Sequence, residues 1–236
     1  MKFYESGDSS KPVIFLFPGT CCLYSSFEHV LDGLHSYFYT ITVSYDGFDP
    51  NEKTEFYSME DECEKIEQEI KKKYCGRIKA AYGCSLGGSL VSLLIQRKRI
   101  HIEHGIIGSS DMDEAGKLVA KIQASMVVPF MYKMAHTGAL PKYMQKKLSK
   151  TDGAKRELYN GFLNMFGIGK GGSPWITKQS IYNQFYSDLV TKVQHGIDVP
   201  GTTIHVFYAT KMGKKYEKRY YCLLYTSPSP RDRTRS

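Results

Sequence analysis

Residues 78–96 read IKAAYGCSLGGSLVSLLIQ, and their centre, Gly83-Cys84-Ser85-Leu86-Gly87, has the form G-x-S-x-G with Gly88 added. Ile78-Lys79-Ala80-Ala81-Tyr82 has the composition of a strand, and Ser89-Leu90-Val91-Ser92-Leu93-Leu94-Ile95-Gln96 that of a helix. A serine on a sharp strand-to-helix turn takes strained backbone geometry, so its neighbours must be small. That geometry lifts Oγ to the sheet edge. The helix N-terminus behind it aims free N–H groups and a positive dipole at any oxyanion formed there. Ser85 is therefore the candidate nucleophile. The alternative is a glycine-rich turn that merely packs a helix close to a sheet, and the strand-then-helix setting weighs against it.

Outward from this turn, strands and helices alternate. Lys2-Phe3-Tyr4-Glu5 has the look of a short edge strand. Val13-Ile14-Phe15-Leu16-Phe17 is apolar throughout, as expected of a parallel strand buried on both faces. A helix is expected over residues 26–36 and a strand over 39–45, closed by the turn Asp46-Gly47-Phe48-Asp49-Pro50. Ser58 with Asp61 three residues on forms a capping box. Cys63, Ile66, Ile70 and Tyr74 then recur at helical spacing, with Lys71, Lys72 and Lys73 in the last turn. Further strands are expected at 103–108 and 203–209. Between them residues 112–200 are helical in pattern and rich in Met and aromatics. Leu118, Ile122, Met126, Phe130 and Met134 lie in register there, and Pro129 is expected to kink the helix. The alternation predicts an α/β fold, a doubly wound, mostly parallel sheet carrying one helical insertion.

Composition narrows the class. A chain of 236 residues suits one α/β domain with a sizeable core. The formal charge is +8, but Lys and Arg are scattered beside expected helix ends, with no aromatic–basic interleaving. That argues against a nucleic-acid partner. Of six cysteines, Cys21, Cys22, Cys63, Cys75 and Cys84 show no metal-type spacing and no disulfide density. They read as reduced thiols of a cytoplasmic protein. The longest apolar run is only residues 13–17, so no signal peptide or stable membrane insertion is expected. No residues call for a cofactor or a metal; the His101/His104 pair lacks a third ligand at useful spacing.

The glycine-flanked serine, the apolar strand ending in Pro18-Gly19-Thr20 and the turn from Asp46 to Asp49 together resemble the α/β-hydrolase family. The likeness spans residues 1–221. It implies a hydrolase core in residues 1–111 and 201–221, with residues 112–200 as a lid. It also implies a small-molecule acyl substrate, such as a carboxylic ester, attacked by Ser85. In that family one oxyanion-hole N–H comes from the loop after the first long central strand, here Thr20 with Cys21 as the near alternative. The other comes from the residue after the nucleophile, here Leu86. Asp46 reads as a local turn former.

Two departures from the family pattern appear. The acid that fixes the base commonly stands where Met212 is found, which leaves Asp111, with Asp113 behind it, as the candidate acid. The family's histidine follows one further strand, and none of the seven histidines present occupies such a position. The last strand and its helix are expected to be missing. Residues 222–236, CLLYTSPSPRDRTRS, resemble a translated sequencing adapter through Asp232, so a non-native tail is expected from Cys222 onward. A chain without the base is expected to be a poor catalyst. The competing expectation is a non-catalytic protein of the same fold that binds an apolar ligand or a partner under the insertion.

Overall fold

The computed structural model describes residues 1–110, 114–140, 171–194 and 196–207, with positions 142, 146, 153 and 163. Its six strands are β1 (Lys2–Ser6), β2 (Val13–Phe17), β3 (Tyr39–Ser44), β4 (Arg77–Cys84), β5 (His101–Gly108) and β6 (Thr203–Phe207). They form one sheet in the order β1-β3-β2-β4-β5-β6. β1 runs antiparallel along β3, and the other four pairings are parallel. The chain leaves β2 for β3 on one side, then crosses back to β4 on the other. The loops after β2 and β4 therefore emerge side by side at the carboxyl edge, where open α/β sheets bind ligands.

Alternation along β2 explains its unbroken apolar run. Ile14 and Leu16 pack with Ala80 and Phe27 on one face. That face is covered by Leu31 and Leu34 of α1 (Glu28–His35), which follows a 3-10 turn at Tyr24–Phe27. The helix expected over 26–36 is thus two shorter pieces. Phe15 and Phe17 join Ile41, Val43 and Ala81 on the opposite face. There they meet Cys63, Ile66 and Ile70 of α2 (Met59–Tyr74) and Leu90 and Leu94 of α3 (Leu86–Arg97). With helices on both faces the sheet is doubly wound. α2 begins as its capping box predicts, Ser58 Oγ accepting from the Asp61 N–H at 3.1 Å.

The helices of the expected insertion whose bounds fall in the described residues are α4 (Lys117–Thr137) and α5 (Lys178–Val190). α4 runs on through Pro129 as one element. Of its expected apolar register, Leu118 (72% exposed), Ile122, Met126 (74% exposed) and Phe130 turn outward, and only Met134 is buried. The packing face consists instead of Ala120, Ala124, Val128, Met134 and Ala135. A repeat of four residues marks a helix face, but both faces of α4 carry it, and the smaller side chains allow the closer approach. No helix of the described residues is long and apolar enough to cross a membrane. Cys21, Cys22, Cys63, Cys75 and Cys84 are free thiols. The helix expected near 213 and the segment 222–236 lie outside the described residues.

Candidate active site

β4 ends at Cys84 and α3 begins at Leu86, leaving Ser85 alone to make the turn, at φ +52° and ψ −120°. A non-glycine residue at positive φ costs on the order of 1–3 kcal/mol and persists only where its surroundings over-determine it. Here they do. The Ser85 N–H donates to Gly108 O at 3.0 Å, and its carbonyl accepts from the N–H of Gly88 at 2.8 Å and of Ser89 at 3.2 Å. Glycine is required on both sides. A Cβ at Gly83 would strike the Gly87 carbonyl, one at Gly87 would strike the Phe17 carbonyl, and one at Gly88 would stand 2.8 Å from Ser110 Cβ. The Ser85 side chain caps no N–H of α3. Leu86, the first residue of the helix, has an N–H without an intrahelical acceptor.

The loop after β2 abuts this turn. A Cβ at Gly19 would lie 3.5 Å from Ser85 Cβ. The Cys22 N–H donates to Gly19 O at 3.0 Å, closing a tight turn, and Cys21 within it sits at φ +59°. Its N–H is engaged from outside: Oε1 of Gln184 on α5 accepts from it at 2.9 Å. The Tyr45 hydroxyl donates to Pro18 O at 2.9 Å, which anchors the start of the loop. Cys21 therefore commits its N–H to a buried amide, whereas Thr20 lines a cavity together with Ser85.

That cavity has a volume of about 390 Å³. Thr20 and Ser85 form its floor. Ala124 and Val127 of α4 and Phe185 and Leu189 of α5 give it apolar walls, and Asp188 and Gln123 add polar groups. Asp188 escapes sequence reasoning. It lies one helical turn beyond Gln184, and no local signal ties either residue to a loop more than 150 positions earlier.

No family model and no curated protein matches the sequence. The coordinates do match solved structures. One is a protein from Desulfitobacterium hafniense assigned to the α/β-hydrolase family, with a TM-score of 0.61, 15% identity, and coverage of 92% of this chain and 96% of that one. Another comes from work on carboxylesterases of the thaumarchaeon Nitrososphaera gargenis, with a TM-score of 0.65, 11% identity, and coverage of 95% and 82%. The chain has the α/β-hydrolase fold. A third match is 1H-3-hydroxy-4-oxoquinoline 2,4-dioxygenase, with a TM-score of 0.57, 14% identity, and coverage of 92% and 80%. An α/β-hydrolase fold does not by itself choose a reaction, so function must be argued from the site.

Within the α/β-hydrolase fold the remaining expected residues fall as follows. Asp111 and Asp113 lie outside the described residues, as do His195 and Met212. None of the described histidines lines the cavity. The His35 ring bonds Ser6 Oγ at 3.0 Å and Thr40 Oγ1 at 3.2 Å. His104 pairs across strands with His205, Nδ1 to Nε2 at 3.2 Å, rather than with His101. Cys84 is half-buried against Tyr82 instead of lying in the core, and burial raises its thiol pKa. Cys22 is pushed up to about 12 by burial, so the thiols flanking Ser85 stay protonated near neutrality.

Asp46 does more than form a turn. It is buried, pairs with the Met1 amino group, and meets Lys65 Nζ at 2.5 Å. The local turn bond is made by Asp49 instead, whose Oδ1 accepts from the Asn51 N–H at 2.8 Å. Asp46, Asp61 and Glu62 bring carboxylates close enough together for a cation. The Lys65 ammonium already occupies that position, 2.5 Å from Asp61 and 3.7 Å from Glu62.

Proposed function

We propose that the protein is a serine hydrolase acting on a small carboxylic ester or related acyl substrate through an acyl-enzyme on Ser85. The observation that carries this reading is a strained serine whose side chain, uncommitted to helix capping, lines a largely apolar cavity. Ser85 Oγ attacks the acyl carbon and its proton passes to a base. The tetrahedral oxyanion accepts from the N–H groups of Leu86 and Thr20, each worth about 100- to 1,000-fold in rate when so placed. The C–O bond then breaks and the alcohol departs with the proton. Water repeats the sequence to free the acid. Asp111 is the proposed acid partner of the base. No described histidine reaches the cavity, so this chain should turn over slowly, since loss of a triad member costs several orders of magnitude. Free imidazole should partly substitute for a base at the Ser85 hydroxyl.

The test is incubation with a fluorophosphonate, with and without imidazole, followed by mass spectrometry of the Ser85 peptide. Imidazole-stimulated labelling of Ser85, absent in Ser85→Ala at unchanged Tm, is the expected result. Folded protein that stays unlabelled in imidazole rejects the nucleophile. The same cavity, which no described histidine lines, favours a second reading, a non-catalytic binder of apolar ligands. That reading expects medium-chain fatty acid to raise Tm equally in wild type and Ser85→Ala, with no labelling.

A further inference from the structure

We infer that Gln184 is a positioning residue that holds the oxyanion loop in its competent form and ties it to the helix lining the acyl cavity. This rests on the proposed role of Ser85. Gln184 is 0% exposed, and its hydrogen bond to the Cys21 N–H bridges 163 residues of sequence. Its Nε2 has no hydrogen-bond partner among the described residues. A buried amide that leaves one polar atom unmatched is a poor packing choice, because an apolar side chain of similar size would fill the space without desolvation cost. The hydrogen bond to Cys21 is the feature that an apolar residue would not supply.

The bond acts where the loop is weakest. In a turn closed from Cys22 to Gly19, the peptide between Thr20 and Cys21 has two orientations, related by a flip of its plane. Positive φ at the third residue selects one orientation, and that conformation suits glycine rather than cysteine. Left alone, Cys21 would relax to negative φ, and the flip would put the Thr20 carbonyl where the Cys21 N–H now points. A carbonyl would then face the buried Gln184 side chain in place of a donor, and ψ of Thr20, which lines the cavity, would change by about 150°. Gln184 Oε1, fixed on α5, accepts only from the strained orientation. Phe185, Asp188 and Leu189 of the same helix line the cavity, so an acyl group bearing on α5 bears on this hydrogen bond as well.

The test compares wild type, Gln184→Leu and Gln184→Met in imidazole-supported fluorophosphonate labelling, resolved into binding constant and maximal rate. Amide exchange at Cys21 is followed by NMR. The inference expects at least a tenfold fall in maximal rate with the binding constant and Tm little changed, and loss of Cys21 amide protection. It further expects partial recovery in the double variant Cys21→Gly/Gln184→Leu, because glycine holds positive φ unaided. Wild-type labelling rates in both single variants overturn it, even if stability changes. If wild type itself is not labelled, the nucleophile assignment fails. The Cys21 amide then decides the matter, and retained protection in Gln184→Leu overturns the inference.

Discussion

Gly87→Ala places a methyl group against the Phe17 carbonyl oxygen, with Phe17 C at 2.8 Å and Pro18 O at 2.9 Å. All three atoms are backbone at the end of β2, whose partners β3 and β4 lie on both sides, so no side-chain rotation relieves the contact. Overpacking costs about 1–3 kcal/mol even where side chains can shift, and rigid backbone puts this case at the upper end. Helix propensity alone would favour Ala by about 1 kcal/mol. The net expectation is a loss of about 2 kcal/mol, or roughly 4–8 °C in Tm for a chain of this length. Gly33 in α1 is the control, because a Cβ there meets nothing within 4 Å. Gly33→Ala should therefore stabilise by up to about 1 kcal/mol. Differential scanning calorimetry of the two variants tests the sign as well as the size. A Gly87→Ala protein that melts at or above wild type would refute the close approach of β2 to the elbow.

Other expectations follow from the ion cluster and the helix caps. Burial, with Asp46 nearby, raises the Glu62 carboxyl from its ordinary 4.5 to about 8. The folded state therefore holds a proton that the unfolded state has released, and the stability this gives is lost as pH rises from about 4.5 through 8. Urea midpoints of Glu62→Gln should fall less than those of wild type over that interval, and parallel curves would contradict the shift. Ser58→Ala should cost about 1 kcal/mol by freeing the Asp61 N–H, read as a lower urea midpoint at constant m-value; an unchanged midpoint would show that the cap contributes nothing.

The parts of the site that could be read from the sequence are those whose constraints act between near neighbours. A side chain at Gly83 is excluded by the Gly87 carbonyl within the same turn, so the pentapeptide carries part of its own geometry, whereas Gly87 answers to the β2 backbone at Phe17 and Pro18. The apolar run of β2 likewise announces burial on both faces. Which N–H of the next loop is available was not legible, because it depends on Gln184, brought to Cys21 only by the completed fold. Asp188 reaches the cavity by the same long-range route. The outward turn of Leu118, Ile122, Met126 and Phe130 has a different cause. Periodicity defines a face without saying what lies against it, and the Ala120, Ala124, Val128 series carried the same spacing in smaller residues.

That inversion in α4 bears on how the cavity is reached. As far as Val128, the helix lining the cavity above Ser85 is attached mainly through the methyl and isopropyl groups of Ala120, Ala124 and Val128, while Leu118, Ile122 and Met126 remain in water. Detaching it exposes little new apolar surface. Hydrophobic attachment scales with the area removed from water, so α4 should be the helix of the described structure most easily peeled from its neighbour, α5. Limited proteolysis under native conditions should cleave within α4 well before α2 or α3, and an apolar ligand lodged against Ala124 and Val127 should slow that cleavage. The opening of the site would then be set by how weakly its roof adheres, with no dedicated hinge needed.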